Sequence, residues 1–490
     1  MAKFKRSKIE IEKKLKSCID KKLGEIDTNH AFDKTKGHPK VTGIAGDVIE
    51  KSILNYPSNS DQEPDLIVDG IPTEVKTTGI KYSRKKSKSG RKFEAKEPMS
   101  ITAVSPNKIV KENFDDSNFW HKLNHMLLVY YLYDSKTTVK SWEYKNFPIK
   151  GFEFHEFSKT DKAILKNDWK KVQKFISNAQ KNKSNPESDY PNLGSALRKD
   201  LLYIDTAPKW PKNPRFRLKR SFVSNIVQSY FNIQYESFDK TINSSENLND
   251  LLKSLTQKYK GLTIRELLNR LHIKYKLTKK GNISKNITER IVTRMFGAKS
   301  KKLSNIDIFN KSGIELKTIT ITSKKTRKED TKFSRINFKQ LENEDEFENS
   351  EFYNCFAEKQ FLFVIFETTS KNSKALDKKF IGFKRLTFSD EFIYTYAKKA
   401  WNHTRNLILS GNLVETEITD KNNKAIVNKN GINRTKLNFI KSRQNPVFLR
   451  GDGRSSTSKT ECVNGIHMYP QYIWIKGSYI VSLLNDTPFI

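Results

Sequence analysis

Cysteine is scarce in this chain: Cys18, Cys355 and Cys462 stand far apart in 490 residues, with no Cys-x-x-Cys pair. That argues against a disulfide scaffold and against a cysteine-based zinc site, and it fits a reducing, cytoplasmic setting. Long apolar runs are missing too. No stretch is long enough to cross a bilayer, and the opening MAKFKRSKIEIEKKLKS is charged throughout, without an apolar signal core. Negative charge is the third deficit, with 55 Asp plus Glu against 91 Lys plus Arg, a net +36 spread along the whole chain. Such a charge draws in a polyanion, so nucleic acid is the leading partner class. An anionic membrane surface would ask for a long basic amphipathic helix with an aromatic apolar face, and none is present.

What the chain does have is a core. Hydrophobic residues make up 36%, including 31 Phe and 18 Tyr, which predicts a globular protein. Its length exceeds one ordinary core, and two domains of roughly 200 to 250 residues are expected.

The organising stretch is PDLIVDGIPTEVK, Pro64 to Lys76. An aspartate opens an apolar β-rich run, an Asp-Gly turn interrupts it, and a second strand carries Glu74, Val75 and Lys76. With a period of two, Glu74 and Lys76 share a face while Val75 points inward. A metal-dependent phosphodiesterase needs that geometry: Asp65 and Glu74 to share a hard divalent cation, and Lys76 to steady the attacking water. The bland alternative is a solvated ion pair, because Glu-x-Lys recurs at Glu12/Lys14, Glu94/Lys96 and Glu143/Lys145.

Around this stretch the spacing predicts a helix over residues 9–26. A second helix is expected to start tightly at Gly43 and Gly46, burying Val48, Ile49, Ile53 and Leu54. Glu50 on that helix is either a third carboxylate for the metal or a solvated outward residue, and spacing favours the latter. KYSRKKSKSGRKF (81–93), with seven Lys or Arg, is expected to be a basic loop, either an arm gripping phosphates or a solvated loop tip. SNFWHKLNHMLLVYYLY (117–133) ends in a buried strand, with His121 and Lys122 just before it; a histidine base is one reading of His121 and a structural histidine the commoner one. RFRLKRSFVSNIV (215–227) interleaves cations and aromatics, which suits groove contact or a basic strand edge. The polar stretch from Tyr235 to Lys258 suggests a boundary, giving domains 1–238 and 257–490 with a linker at 239–256.

The second half repeats these features in order, roughly 235 to 260 residues on. NITERIVTRMFG takes the place of the GDVIEKSILN helix, with Thr293 near the position of Glu50. IDIFNKSGIELKTITI supplies Asp307, Glu315 and Lys317. A basic loop, KKTRKEDTK, and an apolar strand, FLFVIF, follow, and YIWIKGSYIVSLL matches RFRLKRSFVSNIV.

GIAGDVIE, PDLIVDGIPTEVK, NFWHKLNHMLLV and RFRLKRSFVSNIV, with the echoes GIELKTITI, PVFLRGDG and YIWIKGSYIVSLL, resemble the MutH-related type II restriction endonucleases. The likeness is in particular to their two-copy, Sau-three-A-type members that act at GATC. The resemblance implies an α/β fold of two tandem PD-(D/E)xK domains, each with a mixed central sheet flanked by helices. It implies Asp65 and Glu74 as Mg²⁺ ligands, Lys76 as the water-positioning base, an accessory Glu50, and Lys122 near the phosphates. Arg217, Lys219, Arg450 and Lys476 would fall in DNA-binding arms. Two departures stand out. The Asp65-x8-Glu74 gap is longer than usual, which makes Asp69 a rival ligand, and the second copy keeps Asp307, Glu315 and Lys317 where a purely regulatory domain is expected. The implied partners are double-stranded DNA, a second copy of the chain on that DNA, and a methyltransferase acting on the same site. A non-cleaving DNA-binding protein and a mismatch-repair nicking enzyme are the alternatives.

Overall fold

The computed structural model describes residues 4–57, 63–87, 90–135, 137–182, 184–237, 242–278, 283–284, 286–327, 329–368, 373–428, 431, 433–453 and 455–490. In the first half the strands are β1 (Phe4–Arg6), β2 (Leu66–Val68), β3 (Ile71–Ser87), β4 (Gly90–Ala95), β5 (Met99–Ala103), β6 (Met126–Leu132), β7 (Ile149–His155), β8 (Ile204–Ala207) and β9 (Arg215–Leu218). They form a mixed sheet in the order β1-β2-β3-β6-β7, with β4 paired to β3, and a smaller antiparallel sheet in the order β5-β9-β8. All seven residues of β6 are buried, which is why MLLVYYL reads as an unbroken apolar run. The helix Lys159–Asn182 covers the sheet through Ile164, Leu165, Trp169, Val172 and Ile176, spaced at three and four.

The second half contributes β10 (Ile314–Thr322), β11 (Thr331–Arg335), β12 (Gln360–Thr368), β13 (Lys379–Leu386), β14 (Glu415–Glu417), β15 (Thr435–Leu437), β16 (Val447–Gly451), β17 (Glu461–Val463), β18 (Ile466–Met468) and β19 (Gln471–Ile475). Here the first half's pairing plan recurs. β3 lies parallel to β6, which is antiparallel to β7; β10 lies parallel to β12, which is antiparallel to β13. The sheet β11-β19-β16 matches β5-β9-β8, and β9 and β19 each run straight into a helix, Arg220–Tyr230 and Gly477–Asp486. Register agrees as well: Glu74 faces Met126 and Glu315 faces Phe361. One element is missing from the repeat. Among the described residues β10 has no neighbour corresponding to β2.

Four expectations change. The helix expected over 9–26 is two, Lys8–Cys18 and Leu23–Ile26, divided where Asp20 takes a φ of 64°. Ile11 is buried there, whereas Ile9 is 81% exposed. The basic stretch 81–93 is a β-hairpin, because β3 continues to Ser87 and β4 returns from Gly90; the tip, 88–89, lies outside the described residues. The expected linker is largely helix. Residues 238–241 fall outside the description, but Ser245–Tyr259 is helical, capped by the Ser244 hydroxyl, which accepts from Asn247 N–H, and it buries Leu248, Leu251, Leu252 and Leu255. In 324–332, the second basic loop, β11 already begins at Thr331, and residue 328 is outside the description.

Leu248, Leu252 and Leu255 join the largest apolar cluster, which mixes Ile80, Leu128, Trp169 and Phe222 with Ile291, Val364 and Phe383. A buried polar knot reinforces that union. Arg385, 2% exposed, donates to Asn249 Oδ1 and Gln360 Oε1, each at 2.8 Å, and to the Lys199 carbonyl. Gln360 in turn donates to the carbonyls of Arg198 (2.7 Å) and Leu201 (2.6 Å).

Candidate active site

β2 and β3 pair antiparallel with Leu66 opposite Thr73, and Asp65 sits just before this ladder. Its Oδ2 accepts from the Val75 N–H at 2.9 Å, so the carboxylate caps the strand pair beside Glu74. Burial, followed by the charge of Glu74, pushes the Asp65 carboxyl above its ordinary value. With Leu66 opposite Thr73, Asp65 and Glu74 fall at neighbouring positions where the β2–β3 ladder ends.

Glu74 is fully buried. Lys76, two residues along the same strand face, places Nζ 2.6 Å from Glu74 Oε1. Lys122 comes from the helix Asn118–Asn124, whose N-cap is the Ser117 hydroxyl accepting from Trp120 N–H. Its Nζ lies 3.0 Å from both Glu74 oxygens. His121, the neighbour considered as a base, is exposed on that helix. Asp69, the rival ligand, is exposed in the β2–β3 turn and accepts from Lys8 N–H at 3.2 Å. The extended strand Leu66–Val68 separates it from Asp65, so it lies at the other end of β2 from this site.

Glu50 enters from the other side. Gly43, with a φ of 78°, caps the helix Ile44–Val48, and the chain then widens to π-helical winding over Ile49–Ile53. That change of pitch re-aims side chains. Glu50 is half-buried, not turned to solvent as spacing suggested. A Cβ placed on Gly46 would lie 3.6 Å from Glu50 Oε1 and 3.9 Å from Thr77 Oγ1, which sets Glu50 near β3. Burial, then the charges of Glu50, Asp65 and Glu74, push the phenol of Tyr56 well above its ordinary value, so all three acids act on one side chain.

The donor set suits a hard dication, since hard cations take oxygen ligands and a cation would relieve the repulsion that raises Asp65. Among the described residues no three His, Cys, Asp or Glu side chains converge as a ready-made cage. An ion here would complete its shell with main-chain and solvent oxygens, as Mg²⁺ commonly does.

The second copy differs in kind. Lys317 Nζ lies 2.6 Å from Glu315 Oε1 and Lys359 Nζ 3.2 Å from Oε2. Against the burial that would raise it, the charges of Lys359 and Lys317 hold the Glu315 carboxyl down to about 2. Asp307 is not the counterpart of Asp65. It opens the helix Asp307–Ser312 and engages Lys311 (2.8 Å) and Asn225 (3.1 Å). Thr293, at the Glu50 position, is wholly buried and donates to the Arg290 carbonyl.

The expected DNA-contacting residues divide. Lys219 is buried, donates to the Leu201 carbonyl, and is pushed by burial to about 8, so it does not face a ligand. Arg217 is spent on Asp205, 2.7 Å away. Arg450 and Lys476 are exposed; Arg450 stacks on Trp474 at 3.7 Å from the ring centre and pairs with Asp330. Sequence reasoning missed Tyr56 and Lys359. Lys359 stands two residues before the strand residue that faces its glutamate, whereas Lys122 stands four before, so aligning the repeats does not find it.

The family model of the DNA mismatch repair enzyme MutH matches residues 54–168, the segment that carries Asp65, Glu74, Lys76 and Lys122. The type II restriction enzyme Sau3AI of Staphylococcus aureus is 24% identical over 510 aligned residues, covering 97% of this chain and 98% of the relative. The chain is thus similar to MutH over residues 54–168 and to the type II restriction enzyme Sau3AI over nearly its full length. The acidic residues of β2 and β3 lie in the segment matched to MutH, while the second half is matched by Sau3AI and lies outside the MutH match. No helix among the described residues is long and apolar enough to cross a membrane.

Proposed function

We propose that this member of a site-specific deoxyribonuclease family cuts both strands of duplex DNA at a short palindrome, GATC, in a Mg²⁺-dependent reaction centred on the first half. The observation that carries the reading is the placement of Asp65 by Glu74, beside Lys76 and Lys122, where the β2–β3 ladder ends. Asp65 and Glu74 would hold the ion, with Glu50 accessory. Bound there, Mg²⁺ offsets charge developing on the phosphate oxygens and lowers the pKa of coordinated water. Lys76 would align a water for attack on phosphorus, or deprotonate it if Lys76 itself first gives up its proton, while Lys122 would pair with Glu74 and stand by the phosphate. The products are a 5′-phosphate and a 3′-hydroxyl.

The second half is read as a DNA-binding and regulatory copy. Glu315 is clamped between two ammonium groups, and among the described residues no strand pairs with β10 as β2 pairs with β3. Arg450 and Lys476 supply exposed cations for the DNA backbone. A palindrome calls for two cutting centres in two-fold relation, so two chains are expected to pair on DNA. A methyltransferase modifying the same site is the partner the host requires.

The test is plasmid digestion with Mg²⁺ and end-mapping, with Glu74→Ala, Lys76→Ala and Glu315→Ala in parallel. Discrete GATC-ended fragments from wild type and Glu315→Ala, and intact plasmid from the other two, are expected. Plain gel retardation by every protein would indicate a non-cleaving binder, and open circles a nicking enzyme.

A further inference from the structure

Tyr56 follows the π-helical turn that carries Glu50, and Asn55, with a φ of 54°, turns the chain before it. Its main-chain N–H donates to the Glu50 carbonyl at 3.0 Å, and its ring lies against Phe4 at 5.8 Å between centres. The side chain is 2% exposed. Its hydroxyl is nevertheless without a hydrogen-bond partner among the described residues. Thr77 Oγ1, near Glu50, is buried and unpartnered in the same sense.

A buried hydroxyl with nothing to bond is costly, and phenylalanine would fill the same space without that cost. Such a group persists where it has work in another state of the protein. A phenol carries its proton at neutral pH and ionised carboxylates only accept, so toward the acids of this centre the hydroxyl acts as a donor.

We propose that Tyr56 is a positioning residue of the acidic centre, its hydroxyl reserved to donate to the carboxylate and solvent oxygens gathered there when a dication binds. This rests on the metal-dependent reading above. Outer hydrogen-bond partners of metal ligands commonly matter ten- to a hundredfold in affinity, and Tyr56 falls in that class.

The experiment compares wild type, Tyr56→Phe and Glu74→Ala by thermal unfolding and calorimetric titration with MgCl₂, without DNA. Tyr56→Phe should melt at or above the wild-type temperature when no divalent ion is present, and should need about tenfold more Mg²⁺ for half-saturation. Glu74→Ala should show no Mg²⁺ response. A Tyr56→Phe titration that superimposes on wild type overturns the proposal. So does a lower melting temperature without the ion, which would reveal a structural partner for the hydroxyl. If wild type itself shows no Mg²⁺ response, the metal-dependent reading fails and takes this inference with it, an outcome distinct from the first two.

Discussion

Lys122 holds Glu74 symmetrically, its ammonium 3.0 Å from each carboxylate oxygen, while Lys76 reaches only one of them. The two lysines also differ in exposure, 8% for the Lys122 side chain and 24% for Lys76. Structural and chemical roles therefore separate between them.

Lys122→Met leaves a fully buried carboxylate with a single, partly solvated partner. Breaking a buried pair costs about 3 kcal/mol or more, so urea unfolding should show a loss of that order. Lys76→Ala should cost clearly less stability yet abolish cleavage. Equal destabilisation by both would contradict the geometry.

Asp65 carries a raised carboxyl, and the sign of its linkage follows. The native state holds this proton more tightly than the unfolded chain. Stability is therefore lost as pH rises from the ordinary carboxylate range through the raised value, and the loss persists above it. Asp65→Asn keeps an acceptor for Val75 N–H without the charge. It should unfold at higher temperature than wild type at neutral pH in EDTA, the gap closing in acid, and should show no Mg²⁺ response.

Glu315 behaves oppositely, its carboxyl being held down to about 2. Its contribution to stability is present at neutral pH and is lost as pH falls from the ordinary carboxylate range through about 2. Glu315→Gln should be less stable than wild type at pH 7 and converge with it in strong acid, while the ends of cleaved DNA stay unchanged.

The basic residues give a third contrast. Arg450→Ala and Lys476→Ala should each reduce the salt dependence of DNA binding by about one unit of slope. Lys219→Met should leave it unchanged, because that ammonium lies inside the protein on the Leu201 carbonyl. Removing a cation that burial has pushed to about 8 should raise stability at pH 7, with the gain fading as pH climbs through 8 toward 10.

Much of this was legible in the chain. The period-two placement of Glu74 and Lys76 follows from strand geometry, and the unbroken apolar run of β6 follows from burial on both faces. Order along the repeat was legible for the same reason. Glu50 was not, because spacing assumes uniform α winding and the π turn at Ile49–Ile53 breaks that assumption. Lys219 was not, because a lysine in a basic, aromatic strand edge looks the same whether its ammonium meets water or the Leu201 carbonyl. The helix Ser245–Tyr259 was hidden by its polar face, although Leu248, Leu251, Leu252 and Leu255 keep helical spacing.

The knot of Arg385 and Gln360 has a consequence for how the two halves of the chain behave as a material object. With one half's main-chain carbonyls satisfied by the other's side chains, neither half is a spare part. A gene split near codon 241 should yield fragments that precipitate when made singly and recover a folded protein only when produced together. Proteolysis of the intact molecule should meet a single cooperative barrier, not release one stable half.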